Sequence, residues 1–288
     1  MARASIPVDL FNPGQVFACL GFLEAADVLL GEAEGGFDWH DPEHVRFLMS
    51  AEGVRNPFEA ALEFIVQADI VAIAPPGYVQ EKGDVPECSE VFPSEEADPM
   101  RLPIRLSGAT GTVSVLGHWA DGSGRVDFKL YSGNRSALVI ARAMVTGTGR
   151  GEGVKSLWER QREELVRDPF NLVVPMGGSF NLDPRGGWSA IDAGYSPNDS
   201  GHEVVSSPVV EILAAWGLEN ARPHCEDGRR EYVYQVWQRA APLTLSRAVL
   251  GGAPMTTGQR RFRFELALSG KNKFVTFSEE DAHDDKRN

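Results

Sequence analysis

Seven residues, Gly147-Thr148-Gly149-Arg150-Gly151-Glu152-Gly153, place four glycines just ahead of Val154-Lys155-Ser156. Bare backbone N–H groups before a helix start, flanked by Arg150 and Lys155, suit an anion such as an RNA or DNA phosphate. A flexible linker would have the same composition. Nucleotide hydrolysis is not indicated: a phosphate loop needs G-x-x-x-x-G-K-[ST], and Val154 separates the final glycine from Lys155. A second basic run, Gln259-Arg260-Arg261-Phe262-Arg263-Phe264, alternates charge with aromatics and continues to Lys271 and Lys273. On a strand it would line Arg261 and Arg263 along one face at a spacing suited to a phosphate backbone. A half-buried strand with a charged outer face reads the same way. Lys129 and Arg135 flank a Tyr131-Ser-Gly-Asn turn and form a similar pair. The run from Phe170 to Asp199 has neither helical nor strand periodicity. It holds Arg185 and Trp188, an Arg for a bidentate phosphate or base contact and an aromatic for stacking.

Residues suited to catalysis or metal binding do not combine. His40 and His44 are four apart, but Pro42 interrupts a helix between them and no third ligand lies nearby. His224 and Cys225 are neighbours in sequence, which rarely brings a nucleophile and a base into contact. No G-x-S-x-G, C-x-x-C or nucleotide-binding G-x-G-x-x-G is present. The expectation is a non-enzymatic protein with no metal and no cofactor. The rivals are a hydrolase built on Asp183, Asp192 and His202 around the aromatic loop, and a scaffold that contacts only protein.

The elements that must carry these residues are legible in outline. Asn12-Pro13 opens a helix that runs to Gly31, with Val16, Leu20, Leu23, Ala26 and Leu30 on its apolar face. Asn56-Pro57-Phe58-Glu59 opens a second helix with a capping-box pattern. Helices are also expected over 135–145, 154–166 and 208–216, the last stopped by Gly217. Strands are expected over 6–10, 102–106, 112–116, 126–130, 231–238, 243–249 and 259–268. On the last of these, Phe262, Phe264, Leu266 and Leu268 should share the inner face. Strands and hairpins interleaved with helices indicate an α+β fold, a mixed or antiparallel sheet with packed helices. A single domain over 1–277 is expected, with an acidic, Pro-rich insertion at about 75–100 and a disordered acidic tail from 278 to 288.

Net charge over 288 residues is −13, which opposes binding of a free polyanion. Its distribution is uneven: residues 1–100 carry 4 Lys+Arg against 19 Asp+Glu, and the remainder carries 24 against 22. The acidic first third is suited to solvent or to a basic neighbouring subunit. Of the 28 basic residues 22 are Arg, the side chain whose fixed fork matches phosphate. Three scattered cysteines, no apolar run of membrane-spanning length and no leader-like start point to a reduced, cytoplasmic protein with no membrane partner.

Two segments carry a family resemblance. The opening 6–26, Ile6-Pro7-Val8-Asp9-Leu10-Phe11-Asn12-Pro13-Gly14-Gln15-Val16-Phe17-Ala18-Cys19-Leu20-Gly21-Phe22-Leu23-Glu24-Ala25-Ala26, resembles the NPGxFFACCGLLELA start of a subunit family of subtype I-U (I-G) CRISPR Cascade complexes. That family is described as a reduced large subunit or as an RNA-binding, RAMP-like protein. The run from Phe170 through Asp183-Pro184-Arg185-Gly186-Gly187-Trp188 to Asp199 is the second segment. Leu20 departs from the pattern where a second cysteine is expected, which puts chemistry by a cysteine pair in doubt. The resemblance covers about 45 residues. It implies a ferredoxin-like (RAMP/RRM-like) core with insertions, and a non-catalytic antiviral-defence subunit among other effector subunits. Guide RNA and target DNA are the implied ligands, and they give weight to Lys129, Arg135, Arg150, Lys155, Arg185, Trp188, Arg261, Arg263, Lys271 and Lys273 as contacts.

Overall fold

Asn12 caps helix α1 (Pro13–Leu30): its side-chain oxygen accepts from the Gln15 N–H at 3.1 Å, and Pro13 fills a first-turn position that lacks a donor. The computed structural model describes the chain except residues 81–82, 94–96, 121–127, 132–134, 150, 188–203, 227–229, 256–257, 270–271 and 282–288. Asn56 caps α2 (Pro57–Gln67) in the same way. Glu59, expected to close a capping box, instead receives Arg162 at 2.9 Å. The remaining helices are α3 (Ala137–Thr146), α4 (Val154–Arg167), α5 (Pro208–Asn220) and α6 (Leu243–Leu250).

Strand β1 (Ala2–Pro7) pairs with β3 (Arg46–Ala51), β3 with β2 (Glu34–Asp38), and β2 with β12 (Ala241–Pro242), all antiparallel. The order β1-β3-β2, with α1 crossing between the first two strands, matches the first half of a ferredoxin-like unit. The second half departs from it. Strand β4 (Asp69–Ala74) does not join β1; it pairs with β6 (Ile104–Ser107) and, in parallel, with β5 (Glu87–Cys88). Strand β7 (Val113–Leu116) completes that sheet. A third sheet holds β10 (His224–Cys225), β11 (Glu231–Trp237), β13 (Gln259–Ser269) and β14 (Asn272–Val275), with β15 (Glu279–Glu280) also on β13. A short ladder joins β8 (Val174–Pro175) to β9 (Val205–Ser206). The architecture is α+β, built on separate sheets around a helical centre.

One apolar cluster links residues from Ile6 to Val275, and α1 and α5 cross at its middle. Glycines set their approach. A Cβ on Gly21 would lie 1.9 Å from the Leu213 carbonyl oxygen, and one on Gly217 would lie 2.1 Å from that of Phe17. Gly217 is therefore not a stop: it lies inside α5, where contact with α1 outweighs its low helix propensity. The expectation of one apolar face on α1 is also corrected, because Pro13–Ala26 is buried all round. By length and composition α1 could cross a membrane, contrary to the sequence expectation. Its apolarity is that of a central core helix, 78% buried.

Residues 243–249 form α6, not a strand. Leu243, Ser246, Val249 and Leu250 are buried at helical spacing, and Arg247 reaches the buried Glu24 of α1 at 2.5 and 2.6 Å. Leu268 turns out to be 42% exposed, because β13 has by then left β11 and pairs only with β14. Of the expected strand 126–130, Phe128–Leu130 are outside any ladder, and 126–127 lie beyond the described residues.

Described residues in both acidic segments are held by the body of the protein. In the insertion, Asp84 pairs with Arg142 and Glu87 with Arg105. The expected tail begins too early: Ser278 hydrogen-bonds Tyr234 at 2.6 Å and β15 joins the third sheet, while residues 282–288 lie outside the described residues.

Candidate nucleic-acid interface

The two segments that carry the resemblance meet in one buried polar network. Asn12 Nδ2 donates to Asp183 Oδ1 at 3.2 Å, and the Leu182 carbonyl passes so close to Gly14 that a Cβ there would lie 2.4 Å from it. Asp183 also accepts from Arg185 Nη2 at 2.6 Å and from the Ser207 N–H at 3.1 Å. Burial pushes the Asp183 carboxyl up, but the Arg185 hydrogen bonds and charge, with Ser207 and Asn12, outweigh it and leave it below its ordinary value. Behind it, Glu211 receives the N–H groups of Phe180, Leu182 and Asp183 at 2.8–3.0 Å. Burial pushes Glu211 up to about 7 against those donors, with the Asp183 charge adding to the rise.

Arg185 is therefore a structural clamp. Besides Asp183 it donates from Nη1 to the Phe170 carbonyl at 2.8 Å. One edge of it faces a cleft of about 360 Å³ shared with Asp9, Glu43, His44, Arg46 and Asp168. Three carboxylates on those walls make the cleft a poor seat for a polyanion. Trp188 lies outside the described residues.

The arginine face of β13 forms as the alternation predicts, and acids cover it. Arg261 pairs with Glu226 and with Asp281 at 3.3 Å, and Arg263 pairs with the same two at 3.1 Å each. On the other side, Arg260 grips Glu280 at 2.6 and 2.7 Å. The strand offers little unneutralised charge, and nothing in its own sequence signals that Glu226 and Asp281 would fold onto it. Lys273, on β14, is half-buried, and Lys271 lies outside the described residues.

The glycine loop closes on itself. The N–H groups of Gly147, Thr148, Gly151 and Glu152 donate to Ala143, Gly151, Thr148 and Pro175 carbonyls. Glu152 lines the adjoining hollow, Lys155 is exposed on the first turn of α4, and Arg150 lies outside the described residues. Gly147, Gly151 and Gly153 serve close packing, a Cβ on Gly151 lying 2.4 Å from the Pro175 oxygen, whereas one on Gly149 would meet nothing within 4 Å.

The turn holding Lys129 and Arg135 has a different outcome. Lys129 donates to the Tyr131 carbonyl at 2.7 Å and lies 4.1 Å over the Tyr131 ring. Arg135 donates one N–H to the Gly177 carbonyl and borders two adjoining hollows of about 310 and 290 Å³. The first runs past Tyr131 and Asn272 at the start of β14, the second past Gly186 and Ser206. Gly178 and Ser179 belong to both. Among the described lining residues Arg135 is the one charged side chain. Sequence reading identified Arg135 but not its partners, because Gly177-Gly178-Ser179 and Ser206 carry no charge and reach it only through the fold.

Compared with models of known protein families, with curated proteins and with solved structures, the chain matches none.

Proposed function

We propose that this chain is a non-catalytic subunit of a type I CRISPR RNA-guided surveillance complex, contacting guide RNA or target DNA. The observation that carries the reading is the junction of the two resembling segments. Asn12 and Gly14 of the first pack directly on Leu182 and Asp183 of the second, so the residues behind the resemblance act as one structural unit. The charge distribution agrees: the acidic first third suits a basic neighbouring subunit, and acid-clamped arginines keep the free chain from gathering polyanions. In such complexes guide pairing reads sequence while protein holds the backbone.

The hydrolase alternative loses its first residue. Both Asp183 oxygens are taken up by hydrogen bonds from Asn12, Arg185 and the Ser207 N–H, and Asp192 and His202 lie outside the described residues. Co-expression with the genes that flank this one, followed by affinity purification through this chain, tests the proposal. The expected product contains other subunits and a discrete RNA. Purification alone, or with protein only, would reject it.

A further inference from the structure

We infer that the paired hollows around Arg135 form a seat for a phosphodiester of a single nucleic-acid strand. The inference deepens the proposed function and rests on it for the identity of the ligand.

Four observations converge on one place. In a chain of net charge −13, both hollows are free of acidic side chains among their described lining residues, and Arg135 stands on the wall between them. Only one N–H of that guanidinium, on Nη1, has a partner among the described residues, the Gly177 carbonyl. The remaining donors are left for a ligand, and a planar guanidinium matches two phosphate oxygens at once. Ser206 lines the second hollow at 3% exposure, and its hydroxyl has no hydrogen-bond partner among the described residues. Leaving a buried hydroxyl without a partner is unfavourable, so a hollow lined by both this hydroxyl and Arg135 is incomplete without an acceptor. A phosphate oxygen is such an acceptor.

The backbone supplies the rest. Gly177-Gly178-Ser179 passes along the hollows, and among the described residues none of its three N–H groups has a backbone acceptor. Gly177 has no room for a side chain, since a Cβ would lie 2.1 Å from Thr148 Oγ1; one on Gly178 would lie 3.5 Å from Arg135 Nη1. Bare backbone beside a cation is the composition of anion-binding loops. Asn181, in the left-handed region at φ 66°, borders the first hollow and adds an amide. With a hollow on each side of Arg135, a strand crossing the wall sets its phosphate on the guanidinium and a nucleotide over each side.

The test uses the full chain with fluorescein-labelled oligothymidylate and oligouridylate, titrated by anisotropy across a salt series. The wild type should bind one or both weakly at low salt. R135Q should weaken binding about tenfold and reduce the slope of log affinity against log salt by about 0.7, the value of one single-strand phosphate contact. S206A should weaken binding several-fold with no loss of melting temperature, since it deletes a hydroxyl that has no partner among the described residues. If R135Q melts early, S206A decides. A larger effect on oligouridylate identifies RNA as the strand, and one on oligothymidylate identifies DNA. Binding by the wild type that R135Q and S206A leave unchanged would overturn this seat while leaving the nucleic-acid reading in place. No binding of either oligonucleotide at low salt would overturn both.

Discussion

Asn12 and Asp183, 171 positions apart, hydrogen-bond at 3.2 Å in the core, and both are fully or almost fully buried. Asn12 spends its oxygen capping α1 and its amide holding Asp183; Asp183 in turn receives Arg185 and the N–H that opens α5. One pair thus ties the starts of two crossing helices to the loop between β8 and β9. A buried carboxylate is tolerable only with this many donors.

Replacing Arg185 with Ala should therefore act on stability before it acts on binding. It strips the countercharge from a carboxylate with no solvent access, a loss of about 3–5 kcal/mol. A melting temperature within a degree or two of wild type would contradict the clamp and return Arg185 to the list of ligand contacts.

G217A tests the helix crossing. Alanine is the better helix former by about 1 kcal/mol, so an isolated α5 would gain from it. In the fold its Cβ would meet the Phe17 carbonyl at 2.1 Å, and α1 and α5 would have to separate. The expected outcome is a net loss of about 3 kcal/mol or more by denaturant unfolding. A stabilised variant would show that the close approach is wrong.

Neutralising the acids over β13 should raise polyanion binding. In the double variant E226Q/D281N, Arg261 and Arg263 lose both their ionic partners among the described residues. Nucleic-acid affinity of the isolated chain should rise and its salt dependence steepen by about one to two phosphate contacts. The wild type should bind random duplex only weakly at physiological salt. Nanomolar wild-type binding, or an unchanged double variant, would refute the covering role of Glu226 and Asp281.

Glu211 predicts a pH dependence. Its folded pKa, about 7, lies above the ordinary 4.5, so in that window the folded chain keeps a proton that the unfolded chain has lost. Its contribution to stability is thus full below 4.5 and declines as pH rises to about 7. Asp183, lowered, runs the other way and loses stability only as pH falls through its folded value. The melting temperature of wild type minus that of E211Q should decrease across this window. A constant difference would mean that Glu211 is ionised throughout, held by its three N–H donors.

Local chemistry was readable from sequence alone. Asn12-Pro13, Asn56-Pro57 and the aromatic alternation of β13 announced their elements because a cap or a two-residue period needs only near neighbours. The α+β class followed from the same signals. What depended on distant partners was not readable. The strand expected over 243–249 instead winds into α6, whose buried face packs into the core while Arg247 meets Glu24. Gly217 reads as a helix stop until α1 is laid against it. Arg261, Arg263 and Arg185 look like ligand contacts until Glu226, Asp281 and Asp183 arrive from elsewhere in the chain to claim them. Sequence shows which side chains carry charge; only the tertiary structure decides which charges are already paired, because that is a matter of distance in space. Arg135 is distinguished on the same ground: among the described residues it shares a hollow with a hydroxyl that has no hydrogen-bond partner and with a strip of bare backbone.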